Sequence, residues 1–77
     1  MNTEQLANKI EGMLFYAAIQ WCLGNLPGAY LDPMGDPRIV RIKTSRKDIN
    51  AVMFFNHGGK AANFSYNSNN PKVSFVS

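Results

Sequence analysis

The chain reads as an α+β domain: one N-terminal helix packed on a four-stranded antiparallel meander, in the order α-β-β-β-β. Three observations carry this. Apolar residues recur at helical spacing over 3–23, prolines and glycines crowd 25–37, and from Arg38 onward the apolar pattern switches to a period of two.

At the start, Asn2 or Thr3 offers a capping side chain, and Gln5 follows Asn2 at the spacing a capping box requires. Glu4 falls in the first turn, where the partial positive charge of a helix N-terminus favours a carboxylate. Leu6, Ile10, Met13, Leu14 and Ala17 form one apolar stripe; Gly24 is the expected left-handed stop, and Pro27 prevents continuation. The expected helix is 3–23. Its second half is apolar on nearly every side, because Phe15, Tyr16, Ile19, Trp21 and Cys22 lie where Asn8, Lys9 and Glu11 are polar earlier. A sheet covers one side of a helix, so the following loop or another molecule must cover the rest.

The segment 25–37 holds Leu-Pro-Gly, Asp-Pro and Gly-Asp-Pro, which predict an irregular loop. Leu26, Tyr30, Leu31 and Met34 predict that it packs over the helix as a lid. Strands are expected at 38–44, 49–56, 61–67 and 72–77, separated by 45–48, 57–60 and 68–71. Connections this short make neighbours antiparallel. Alternation places Val40, Ile42, Ala51, Met53, Phe55, Ala62, Phe64, Tyr66, Val73 and Phe75 inward. The opposite face then receives Ile39, Arg41, Lys43, Val52, Phe54, Asn63, Ser65, Lys72, Ser74 and Val76.

Seventy-seven residues make a single domain over 1–77. A chain of this size buries only about 60% of its unfolded surface, and such domains often add a disulfide, a metal or a partner. Cys22 has no second cysteine to pair with, and one cysteine plus one histidine (His57) do not make a four-ligand zinc site. A partner, either another protein or a second copy in a homodimer, is the remaining expectation; no cofactor, membrane or small-molecule substrate is expected. The longest apolar run, 13–23, is interrupted by Gln20 and is shorter than the roughly 20 residues a membrane helix needs. With Glu4 and Glu11 beside it, this run does not read as a signal peptide, and a cytoplasmic protein is expected.

Charge is divided unevenly. Residues 1–36 carry one lysine against four carboxylates, whereas 37–77 carry seven cations against one. Five of those cations, Arg38, Arg41, Lys43, Arg46 and Lys47, fall within ten residues and suggest an anionic partner.

Catalytic patterns fit poorly. Cys22 sits in the most apolar stretch, where a thiol is inert, and His57 falls in a turn. His57-Gly58-Gly59-Lys60 lacks both a nucleophile elbow and the Ser/Thr of a phosphate loop. Asp32 and Asp36 stand beside prolines as turn-formers. The expected function is therefore non-catalytic: a protein–protein interaction module, as an inhibitor or accessory factor acting on a nucleic-acid-handling partner. Its apolar contact residues would be Phe15, Tyr16, Trp21, Tyr30 and Met34, types enriched in interfaces. The C-terminal strand would offer an open edge. The alternative is nucleic-acid binding by the five cations, with Phe54 as a stacking platform and Asn63 or Asn67 reading base edges.

Overall fold

The computed structural model describes residues 1–63 and 74–76. Helices pack on one face of an antiparallel sheet, so the α+β architecture is as expected. Several elements differ from the sequence reading, each for a physical reason.

The expected helix 3–23 is two helices, α1 (Thr3–Ile10) and α2 (Phe15–Asn25). The start of α1 is the expected capping box: Gln5 N donates to Asn2 Oδ1 at 2.8 Å, and Asn2 N to Gln5 Oε1 at 3.0 Å. The break lies at Gly12, whose φ of +83° is outside the helical region. There the chain runs antiparallel to the hairpin at 59–61. Gly12 N donates to Ala61 O (3.0 Å), Ala61 N to Met13 O (2.7 Å), and Phe15 N to Gly59 O (2.9 Å). These bonds replace those a continuous helix would have made, and glycine occupies the left-handed position without the Cβ penalty.

Helix α2 runs through Gly24, which is not a left-handed stop. The left-handed residue is Gly28, at φ +61°. Here the Leu-Pro-Gly turn docks on the chain at 44–45. Pro27 O accepts from Thr44 Oγ1 (2.7 Å), Ser45 N (2.9 Å) and Ser45 Oγ (3.0 Å). A Cβ on Gly28 would stand 3.0 Å from Ser45 Oγ, so the close approach requires glycine as well.

The segment 25–37 is not wholly irregular, because Tyr30–Asp32 forms β1. Its prolines and glycines flank the strand and do not enter it. The remaining strands are β2 (Ile39–Lys43), β3 (Ala51–His57), β4 (Lys60–Asn63) and β5 (Ser74–Val76). The parts of the expected strands over 64–67, at 72–73 and at 77, and the turn at 68–71, lie outside the described residues. Gly58 and Gly59, at φ +61° and +87°, make a two-residue hairpin turn between β3 and β4, with His57 opposite Lys60.

The sheet order is β1-β2-β3-β4, with β5 paired to β3. A simple meander would set β5 beside β4. Instead, β2 takes one edge of β3, while β4 meets Phe54–His57 and β5 meets Ala51–Met53 on the other.

Register also corrects the faces. Val40 pairs with Phe54 and Ile42 with Val52, so Val52 and Phe54 face the helices and Met53 and Phe55 face away. Ala61, not Ala62, joins the core. The run Ala51-Val52-Met53-Phe54-Phe55 is apolar at every position, so alternation within it holds no phase information. Phase is set by pairing with β2. Ala51 to Phe54 are all buried, as befits the central strand. The helix-side core joins Leu6, Ile10, Phe15, Ala18 and Cys22 to Val40, Ile42, Val52 and Phe54. Phe15 meets Phe54 edge-to-face at 5.7 Å.

We expect Phe54→Ala to cost about 3–5 kcal/mol, against roughly 4–12 kcal/mol for a domain of this length. Urea denaturation followed by Trp21 fluorescence measures it. Phe55→Ala, at a half-buried side chain on the opposite face, costs less; the reverse ranking would contradict the observed phase of β3.

Candidate functional site

Strand β1 ends the sheet. It pairs with β2 through Tyr30–Lys43, Leu31–Ile42 and Asp32–Arg41, and its other edge meets no strand among the described residues. Leu31 therefore lies on the helix face, while Tyr30 and Asp32 lie on the outer face. Between β1, α2 and the turn at 33–37 is a cavity of about 510 Å³. Phe15, Tyr16, Ile19, Leu31, Met34 and Val40 are among its lining residues. At the rim Tyr16 is 73% exposed and Leu31 50%; Tyr30, on the adjoining edge, is 58% exposed.

The five apolar contact candidates thus separate. Tyr16 and Tyr30 are exposed, and Met34 is half-buried in the cavity wall. Phe15 is in the core and reaches the cavity only at its floor. It supports Tyr16 from beneath, ring to ring at 5.2 Å. Trp21 is half-buried against the core on a different side of α2, with Lys9 Nζ 5.9 Å from its ring centre. Leu31 belongs to the site and was expected only as part of a packed lid. Its signal was its place between Tyr30 and Asp32, but the strand that exposes it was not foreseen.

The basic run is largely neutralised. Arg38 lies against Asp36 (3.1 Å), Arg41 Nε against Asp32 (2.8 Å), and Arg46 against Asp48 (2.5 Å). Arg46 Nη1 also donates to Met1 O at 3.1 Å, tying the N-terminus to the chain after β2. Arg38 holds the Asp36 carboxyl below its ordinary range, and Arg46 does the same to Asp48. Lys43 Nζ reaches Asn50 Oδ1 at 3.5 Å, and Lys47 is exposed. Two of the ion pairs join residues two apart in sequence, a spacing visible beforehand. Asp32–Arg41 depends on the β1–β2 register. Phe54 is fully buried on the helix face and is no stacking platform. Asn63 ends β4 opposite Phe54; Asn67 lies outside the described residues.

Cys22 is fully buried, and desolvation pushes its thiol up to about 12. At neutral pH it holds its proton and is no nucleophile. His57 is exposed at the end of β3, with its ring 6.0 Å from Phe55. Among the described residues no group of three His, Cys, Asp or Glu is placed to hold a metal, and no helix is long and apolar enough to cross a membrane. Comparison with protein-family models, curated proteins and solved structures gives no match.

The buried thiol makes a pH prediction. A folded-state value raised above that of the unfolded chain stabilises fully below about 9 and loses that contribution as pH climbs toward about 12. The loss reaches an upper limit of about 4 kcal/mol at 1.36 kcal/mol per unit. Urea titrations across this range should show a decline that Cys22→Ala lacks. Equal slopes in the two proteins would contradict the assignment.

Proposed function

We propose that this chain acts by binding a protein, using the cavity between α2 and β1 together with the open edge of β1. The observation that carries the reading is the grouping of Tyr16, Tyr30 and Leu31, all well exposed, around that cavity and edge. Aromatic side chains at a concave apolar site, next to unpaired strand backbone, are features of interfaces and of strand addition. A non-catalytic role is supported by the surroundings of three ionisable side chains. Cys22 is sequestered, and Asp36 and Asp48 are held ionised by arginines, away from the range where a carboxyl exchanges protons near neutrality.

The finer version is an inhibitor or accessory factor of a nucleic-acid-handling protein. It draws support from Lys43 and Lys47, which meet no carboxylate among the described residues. Direct nucleic-acid binding has less support, because three of its five cations are ion-paired and Phe54 is buried.

Tyr16→Glu and Leu31→Lys each place a charge in the cavity rim without entering the core. Affinity capture from the native host should yield a protein that both variants lose by tenfold or more, while Lys60→Glu, exposed at the β3–β4 hairpin, retains it. Retention by all three would remove the reading. Direct nucleic-acid binding would instead show affinity that falls steeply with salt and weakens in Lys43→Ala; we expect no such binding at low salt.

A further inference from the structure

We infer that the occupant of the β1 edge is a second copy of this chain, paired antiparallel about a two-fold axis at Leu31. This rests on the protein-binding reading and names its partner. An isologous contact must be self-complementary, and β1 meets that condition in one register. With Leu31 opposite its own counterpart, Tyr30 of each copy faces Asp32 of the other. Across the doubled sheet the outer-face row then runs Arg41, Asp32, then the second copy's Tyr30 and Lys43, following the existing β1–β2 pairs. No like charges stand opposite each other. An antiparallel register centred on Asp32 sets Asp32 against Asp32, which is unfavourable. Centring on Tyr30 takes Leu31 off its symmetric position and sets it against the turn at Ala29.

The faces agree with the register. A two-fold axis perpendicular to the sheet keeps both copies of α2 on one side. The two cavities beside β1 then flank one seam, with Tyr16, Leu31 and Met34 of each copy along it. The exposed side chains at this edge supply at least half of the area a stable interface needs. The smallest stable interfaces bury about 600 Å² per partner, an eighth of the 4700 Å² surface of this chain. The exposed parts of Tyr16, Tyr30 and Leu31 supply roughly 300–400 Å² at 150–250 Å² per aromatic ring, and the edge backbone and the turn at 33–37 lie next to them.

Cysteine cross-linking reads the register directly, because the native thiol is buried and unreactive. In the proposed pairing, residues 31 of the two copies have Cα atoms about 4.5–5.5 Å apart, within disulfide range. Residues 30 of the two copies are diagonal neighbours about 7–8 Å apart, beyond it. Under mild oxidation Leu31→Cys should give a covalent dimer at least about tenfold faster than Tyr30→Cys. Light scattering of the wild-type chain should report a dimer that Tyr16→Glu converts to monomer. A wild-type monomer at millimolar concentration would overturn the inference, as would a dimer in which the two cysteine variants cross-link equally or not at all. If the wild type is monomeric yet still retains a host protein that Tyr16→Glu loses, self-pairing fails and the protein-binding reading stands. If it is monomeric and captures nothing that the variants lose, both fail.

Discussion

The short antiparallel contact between the helix break and the β3–β4 hairpin organises this molecule. Three backbone hydrogen bonds, from Gly12, Phe15 and Ala61, join 12–15 to 59–61. They end α1, restart the chain as α2, and set Phe15 at the first turn of α2 against Phe54. Residue 16 then projects from the adjacent face of the helix, which is why Tyr16 is exposed while Phe15 is buried. A continuous helix from 3 to 23 would present a different set of side chains to the sheet. The candidate site is thus a consequence of a break at one glycine.

The second constraint is the position of β1. A three-residue strand on the edge of a small sheet leaves backbone groups available for pairing, and proteins usually blunt such edges. Here the flanking Leu-Pro-Gly and Asp-Pro turns keep the strand short, and the Asp32–Arg41 ion pair adds charge to its outer face. The helix face of the edge remains apolar at Leu31. An edge blunted on one face and apolar on the other selects which partners can approach and from which side.

Much of the architecture was legible because local signals agreed with it. The Asn2–Gln5 capping box, the Gly58-Gly59 hairpin and the inert setting of Cys22 all follow from side-chain chemistry within a few residues. What sequence alone missed depends on contacts distant along the chain. Gly12 is tolerable inside a helix at a cost of about 1 kcal/mol, so only the hairpin at 59–61 reveals that it is a break. The uniformly apolar run at 51–55 has no intrinsic phase, and pairing with Val40 and Ile42 supplies one. The site shows the same division. Tyr16 and Tyr30 were candidates by residue type, whereas Leu31 and the Asp32–Arg41 pair needed β1 and its register, and the burial of Phe54 needed the β2–β3 register. Only the i, i+2 ion pairs at 36–38 and 46–48 could have been read locally as neutralising the basic run.

Self-association of this chain depends on whether the free side of β1 is where a second chain adds. Amide hydrogen exchange across a dilution series addresses this residue by residue. Protection at 30–32 should rise with protein concentration, while the amides of Gly58 and Gly59, at the opposite end of the sheet, stay constant. Exchange at 30–32 that is fast and independent of concentration would contradict it.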